Sequence, residues 1–251
     1  MTDLHCHILP GIDDGAKTVE ESVALLRQEL EQGVQQFVFT PHFNPECIDV
    51  ETFKKKRAEA FELLQKAVQE KGLSIQMKLG AEVQFSSMLS ELDLTPLLIE
   101  KTPYLLIELS PSFYPPWIKD VFYQLQLQGI VPILAHVERY GYLMHNPREL
   151  FDLVSEGVII QINASSIVRK CKRQKMLKKF LQWNLVHIIS TDTHSIDKRP
   201  PLMEPAFQQI EKWHGNDKVC ALQKNGAAVF AGETLQLTDA VCPRKILGQW
   251  L

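Results

Sequence analysis

Short apolar, β-rich runs recur along the chain at 36–40, 74–79, 104–108, 131–135, 157–162 and 186–190, and the N-terminus opens on a seventh around Leu4. Several are apolar almost without interruption, the pattern of parallel strands covered on both faces rather than strands with one wet face. Between them the apolar positions follow a helical period over 18–32, 50–71, 116–128, 147–156 and 170–183. Thr18 and Glu21 have capping-box spacing, and Gly33, Gly72, Gly129 and Gly157 stand where helices should stop. Strands alternating with helices, with no Ser/Gly/Pro-rich linker and no short repeat, predict one α/β domain over residues 1–251. Seven strands and a helical C-terminal region predict an incomplete or distorted barrel. The alternative is a doubly wound open sheet, although no GxGxxG follows the first strand and no Walker A sequence is present.

Composition narrows the setting more than the fold. At 45% hydrophobic and 23% charged residues the chain can bury a sizeable core, and a formal charge of −3 gives no general reason to expect a nucleic-acid partner. The five cysteines (Cys6, Cys47, Cys171, Cys220 and Cys242) are scattered without a CxxC pair, which reads as reduced thiols rather than a disulfide framework. There is no basic leader with an apolar segment behind it and no stretch of membrane-span length, so a cytoplasmic protein without stable membrane insertion is expected.

The chemistry is carried by strand ends. His5 and His7 flank one residue on the opening run, so an extended backbone places both imidazoles on one face. Asp14 follows at once; then come His42 after Thr40-Pro41, Glu82 after Gly80-Ala81, Glu108 after Ile107, His136 after Ala135, and Asp192 and His194. Singly, each has an ordinary role as a loop or strand-end residue. In a parallel barrel, however, all strand C-termini open on one face, and these side chains would meet there. Mixed imidazole and carboxylate donors suit Mn²⁺, Fe²⁺ or Zn²⁺, and the set exceeds what one tetrahedral ion needs, so two or three ions are expected. Arg139 and Arg199 lie just beyond two of these positions, where guanidinium forks would bind phosphate oxygens.

These residues resemble the polymerase-and-histidinol-phosphatase (PHP) superfamily, and within it the PHP-type protein tyrosine phosphatases of bacterial capsule and exopolysaccharide loci. The likeness rests on HCHILPGIDDG at 5–15, TPH at 40–42, GAE at 80–82, IE at 107–108, AHVERY at 135–140 and DTH at 192–194 with Arg199-Pro200. It implies a distorted (β/α)7 TIM-like barrel and a centre of three divalent ions, manganese foremost. One ion would take His5, His7, Glu82 and Asp192; a second Glu82, Glu108 and His136; the third Asp14, His42 and His194. Arg139 and Arg199 match the phosphate-binding arginines. The tyrosine-rich tail of a bacterial tyrosine kinase is the implied partner. TDTHS at 191–195 departs from a pattern closer to SDAHN without losing either coordinating position, and the region from about Asn216 onward matches weakly, with Asn225-Gly226 where Asn-Pro is expected.

The expected reaction is therefore phosphomonoester hydrolysis by metal-activated water. No cysteine is followed by arginine at the spacing of a cysteine-dependent phosphatase loop. Asp13 is a candidate acid or a support for the ligands. Phe43, Phe85, Phe113, Tyr114, Trp117 and Tyr140 are candidates to flank a phosphotyrosine ring, and the basic run 169–179 is either a solvated helix face or a dock for an acidic tail. A histidinol-phosphatase-like enzyme is the main alternative. A nuclease or proofreading module and a phosphotyrosine-binding module without turnover are weaker ones.

Overall fold

The computed structural model describes residues 1–170, 173–246 and 248–250; Cys171 and Lys172, in the predicted helix and basic run, lie outside the described residues. The strands of the parallel sheets are β1 (Thr2–Cys6), β2 (Gln36–Phe39), β3 (His42–Phe43), β4 (Gln76–Leu79), β5 (Glu82–Gln84), β6 (Tyr104–Glu108), β7 (Val131–Leu134), β8 (Ile159–Asn163) and β9 (Ile188–Ser190). They form an α/β fold with parallel sheets, ordered β1-β2-β4 and β3-β5-β6-β7-β8-β9.

Two of the predicted strands are each split. Past β2 stands Pro41, which has no N–H for the ladder, and past β4 stands Gly80, where a Cβ would come within 3.0 Å of the Val38 side chain. Pairing resumes at β3 and β5, with His42 and Glu82 in register as the first residues of each. The backbone after β9 returns to β1: the Asp192 N–H donates to the His5 carbonyl (2.8 Å), and the His7 N–H donates to that of Thr193 (2.9 Å).

The helices are α1 (Val19–Glu31), α2 (Val50–Glu70), α3 (Ile118–Leu127), α4 (Gly141–His145), α5 (Pro147–Ser155), α6 (Ala164–Val168), α7 (Gln174–Gln182), α8 (Met203–His214) and α9 (Asn216–Ala231). Gly33, Gly72, Gly129 and Gly157 all follow helices with positive φ, as their positions predict. The Thr18 hydroxyl caps the Glu21 N–H, but the Glu21 carboxylate accepts from Lys17 N–H instead of closing a reciprocal box. The helix predicted over 170–183 is shorter, and α6 stands ahead of it.

One hydrophobic cluster joins the helices to the sheets. A smaller one takes Leu4, Val38, Leu106, Ile133, Ile159 and Ile188 from six different strands and is completed by Val229 and Phe230 of α9. The same helix also places Asn225 Nδ2 on the His187 carbonyl, at 3.0 Å. No described helix is long and apolar enough to cross a membrane.

Candidate metal centre

All nine residues singled out as ligands come together, in the last residues of strands or in the segments that follow them. His5 ends within β1 and His7 lies just past it; His42 and Glu82 open β3 and β5; Glu108 closes β6; His136 follows β7, and Asp192 and His194 follow β9. Six of them are buried, His42 and Glu108 are half-buried, and Asp14 is exposed at the rim.

His5 Nε2, His7 Nε2 and Glu82 Oε2 form one close group, and Asp192 Oδ1 faces both imidazoles. The two imidazole nitrogens are 3.2 Å apart, Glu82 is 3.2 and 3.1 Å from them, and Asp192 is 3.5 and 3.6 Å from them. Donor atoms about 2.0–2.1 Å from a single ion in a tetrahedron stand about 3.3 Å from one another. Asp14 Oδ1 lies 3.3 Å from both His42 Nε2 and His194 Nε2. Around the other side of Glu82, His136 Nε2 is 2.6 Å from Oε1 and 3.9 Å from Glu108, while His42 Nδ1 lies 3.1 Å from Glu82 and 3.5 Å from Glu108. His42 thus presents one ring nitrogen to each of two groups.

The donor set fits divalent cations. Glu82 Oε2, Asp192 Oδ1 and His194 Nε2 are buried with no hydrogen-bond partner among the described residues, a costly arrangement for atoms that are not ligands. Overlapping groups of His, Asp and Glu here are close enough to hold ions. Burial works against a charged imidazolium at His5 and His7, yet their carboxylate neighbours outweigh it, raising His5 and taking His7 to about 9. His42 rises in the same way to about 11, against Glu82 and Glu108. Glu82 is held well below the usual carboxylate range because the surrounding imidazoles overcome its burial. His194, buried and next to His7, falls to about 3.

A second layer aims the ligands. Asp13 Oδ2 lies 2.7 Å from His7 Nδ1 and its Oδ1 accepts from the Gly15 N–H, so Nε2 of His7 is the nitrogen left for the centre. A Cβ at Gly15 would come within 2.0 Å of the His7 carbonyl oxygen, which is why the loop needs glycine there. His194 Nδ1 is turned to the Asp192 carbonyl (3.0 Å), and His136 Nδ1 to the Tyr140 hydroxyl (3.2 Å). Gln161 Oε1 accepts from the His136 N–H, and Gln161 Nε2 donates to Asn163. His136 and Asp192 both adopt left-handed backbone, φ 33° and 53°, an unfavourable conformation that persists where surrounding contacts impose it.

Arg139 and Arg199 both donate to Asp192 Oδ2, Arg199 at 2.7 Å, and Asn163 Nδ2 donates to the same oxygen at 2.7 Å. Both guanidiniums are partly exposed at the mouth.

Several supporting residues escape sequence reasoning. Gln161 and Asn163 were visible only as polar side chains at alternate positions of an apolar strand. Asp3 and Glu29 are fully buried around the Thr191 hydroxyl, which is 3.0 Å from Glu29 and bonded to Asp3 as well. Burial pushes both carboxyls up, Glu29 well above its ordinary range. Glu29 had a faint signal as an acid on the apolar face of its helix. Of the aromatic candidates, Phe43 packs edge-on against Phe53 in the core, Phe85 packs against Phe122, and Tyr140 is buried under His136. Phe113 and Trp117 stay exposed, with ring centroids 5.9 Å apart.

A family model described as capsular polysaccharide synthesis, CpsB/CapC, matches residues 1–231. The chain is 30% identical to tyrosine-protein phosphatase YwqE of Bacillus subtilis (strain 168), over 99% of both chains. It is 32% identical to putative tyrosine-protein phosphatase CapC of Staphylococcus aureus, over 94% of this chain and 93% of that one. Tyrosine-protein phosphatase CpsB of Streptococcus pneumoniae is 33% identical, over 87% of this chain and 93% of its own. Among solved structures, one from the work describing YwqE from Bacillus subtilis and CpsB from Streptococcus pneumoniae as unique metal-dependent tyrosine phosphatases superposes with a TM-score of 0.90. It has 26% identity and covers 98% of this chain and 100% of that one.

Proposed function

The chain belongs to the CpsB/CapC capsular polysaccharide synthesis family, and from that premise we propose that it is a metal-dependent protein tyrosine phosphatase, a phosphoric monoester hydrolase. The observation that carries this reading is the buried set of His5, His7, Glu82 and Asp192, in which each of the two imidazole nitrogens lies 3.1–3.6 Å from both carboxylates, with two arginines on the far oxygen of Asp192. Three divalent ions, manganese foremost with iron(II) or zinc as alternatives, would be held by the residues that the resemblance assigns: His5, His7, Glu82 and Asp192 for one, Glu82, Glu108 and His136 for a second, and Asp14, His42 and His194 for the third. The strands are read as a distorted (β/α)7 barrel of the PHP type making one domain over 1–251. The bonds from the 192–193 backbone to β1 and the apolar cluster drawn from six strands support that reading.

Bound divalent ions supply Lewis acidity toward phosphate oxygens and bring the pKa of a site water toward neutrality. Arg139 and Arg199 keep further N–H donors beyond those spent on Asp192, and with these they bind the equatorial oxygens and fix phosphorus for in-line attack. Charge that develops on those oxygens is neutralised by the same two side chains. A tyrosine phenolate, of pKa about 10, leaves with little protonic help. Asp13, occupied by His7 and the Gly15 N–H, orients a ligand and is not the acid. The physiological substrate is taken to be the phosphotyrosine-bearing tail of a bacterial tyrosine kinase in the cytoplasm.

The test compares phosphate release from a phosphotyrosine peptide and from histidinol phosphate, before and after chelation and after adding back Mn²⁺. Loss on chelation, recovery with the metal and preference for the peptide are expected. Full activity in the chelated protein overturns the metal reading, and preference for histidinol phosphate replaces the substrate.

A further inference from the structure

A cleft of about 460 Å³ opens beside the metal centre and shares Asp14, His194 and Arg199 with it. Away from the centre its walls carry Lys17 and Lys198, and Ile196 offers a partly exposed apolar surface. The cleft is built rather than loose. Lys17 Nζ is held on the Asp13 carbonyl at 2.8 Å, which leaves it further N–H donors. The 195–199 loop is closed by backbone bonds from His194 and Ser195 to the Arg199 carbonyl and by the Ser195 hydroxyl accepting from the Arg199 N–H. Arg169 donates to the Lys198 carbonyl at 3.1 Å, which brings the first residue of the basic run to the outer wall.

Three carboxylates border these cations. Asp14 faces His42 and His194 as a candidate ligand, Glu21 accepts from the Lys17 backbone N–H, and Asp197 lies on the same lining, so the formal charges of the walls balance; among the described residues neither lysine ammonium is within 4.0 Å of a carboxylate. A substrate segment whose phosphate sits at the centre has this cleft, with Lys17 and Lys198 on its walls, as its adjoining surface.

We propose that the cleft is a second binding subsite, taking an anionic side chain that flanks the phosphotyrosine in the same peptide; this rests on the phosphatase reading above. Lys17 and Lys198 hold the anion, and Ile196 packs against its stem. Carboxylate and phosphate share the required chemistry.

The experiment uses the Mn²⁺-loaded protein and phosphotyrosine peptides that differ only at a flanking position: neutral, glutamate, or phosphoserine, on either side. Binding is read by fluorescence anisotropy and turnover by phosphate release. A gain of about fivefold in affinity and in kcat/KM for an anionic flank is expected, through KM and shrinking with salt, as partly exposed charge pairs would give. The Lys17→Met/Lys198→Met double variant should lose the gain while keeping wild-type kcat on the neutral-flank peptide. A larger gain with phosphoserine assigns the subsite to a neighbouring phosphate; equal gains assign it to any anion. Turnover without flank preference, or preference that survives in the double variant, overturns the subsite and leaves the phosphatase reading standing. Flank-dependent binding without phosphate release does the reverse, and absence of peptide binding overturns both.

Discussion

Arg139 and Arg199 converge on a single oxygen, Oδ2 of Asp192. With Asn163 on that oxygen too, Oδ1 is left facing His5 and His7. One carboxylate therefore divides its two oxygens between a cation-binding group and the groups that would hold phosphate. Arg139→Ala and Arg199→Ala are each expected to lower kcat/KM on a phosphotyrosine peptide by about 10²–10³-fold. Lysine should restore little, because it lacks the planar fork. Steady-state kinetics alongside metal content checks this, and Arg139→Ala with wild-type kinetics removes Arg139 from the mechanism.

Asp13 acts on the centre through His7. With its carboxylate 2.7 Å from His7 Nδ1, replacement by alanine frees the ring to turn. Asp13→Ala should weaken metal binding by about 10–100-fold, and Asp13→Asn, which keeps an acceptor, by less. Competition against a chelator measures both; equal, wild-type affinities would show that His7 needs no such support.

Glu82 is placed to serve several ligands at once, with Oε2 3.1–3.2 Å from His5, His7 and His42 and Oε1 2.6 Å from His136. Glu108 stands at the edge, 3.5 and 3.9 Å from His42 and His136. Glu82→Gln should therefore cost more bound metal than Glu108→Gln and reduce turnover to about a thousandth or below, as loss of a metal-centre ligand implies. Metal analysis of the purified variants decides; full occupancy in Glu82→Gln would rule out a shared carboxylate.

His187 supplies a pH dependence separate from the centre. It is buried, its Nδ1 accepts from the Ile160 N–H, and burial takes its pKa down from 6.5 to about 4. Above the unfolded value the ring is neutral in both states and its contribution is intact. As pH falls from about 6.5 to about 4 the unfolded chain takes up the proton first, and about 3 kcal/mol of stability is lost. Urea unfolding in chelator should show a flatter pH profile for His187→Gln than for wild type over that window; parallel profiles would contradict the assignment.

The alternation of apolar runs with helical periods made the α/β class and most element positions legible, because each signal lies within a few residues of itself. His5 and His7 were legible for the same reason, through strand alternation, and the remaining ligands through their repeated placement at strand ends. The short strands β3 and β5 were not, since nothing local says that pairing will resume after Pro41 and Gly80. Nor were the fates of the aromatic residues: Tyr140 and Phe43 read like Phe113 and Trp117 in sequence, yet two are buried and two exposed.

What the sequence determined by itself is the inventory: donors of the right chemistry, one or two to a strand end, with two arginines close behind. Which atoms face one another was decided only by the tertiary structure. His42 meets Glu82 through a register between distant strands, Asp192 meets His5 because the end of the sheet returns to its beginning, and Gln161, Asn163, Asp3 and Glu29 become part of the site only through burial. Periodicity along the chain specifies the face on which a side chain emerges, whereas distances between side chains depend on register, twist and packing, which arise only when separate segments are brought together.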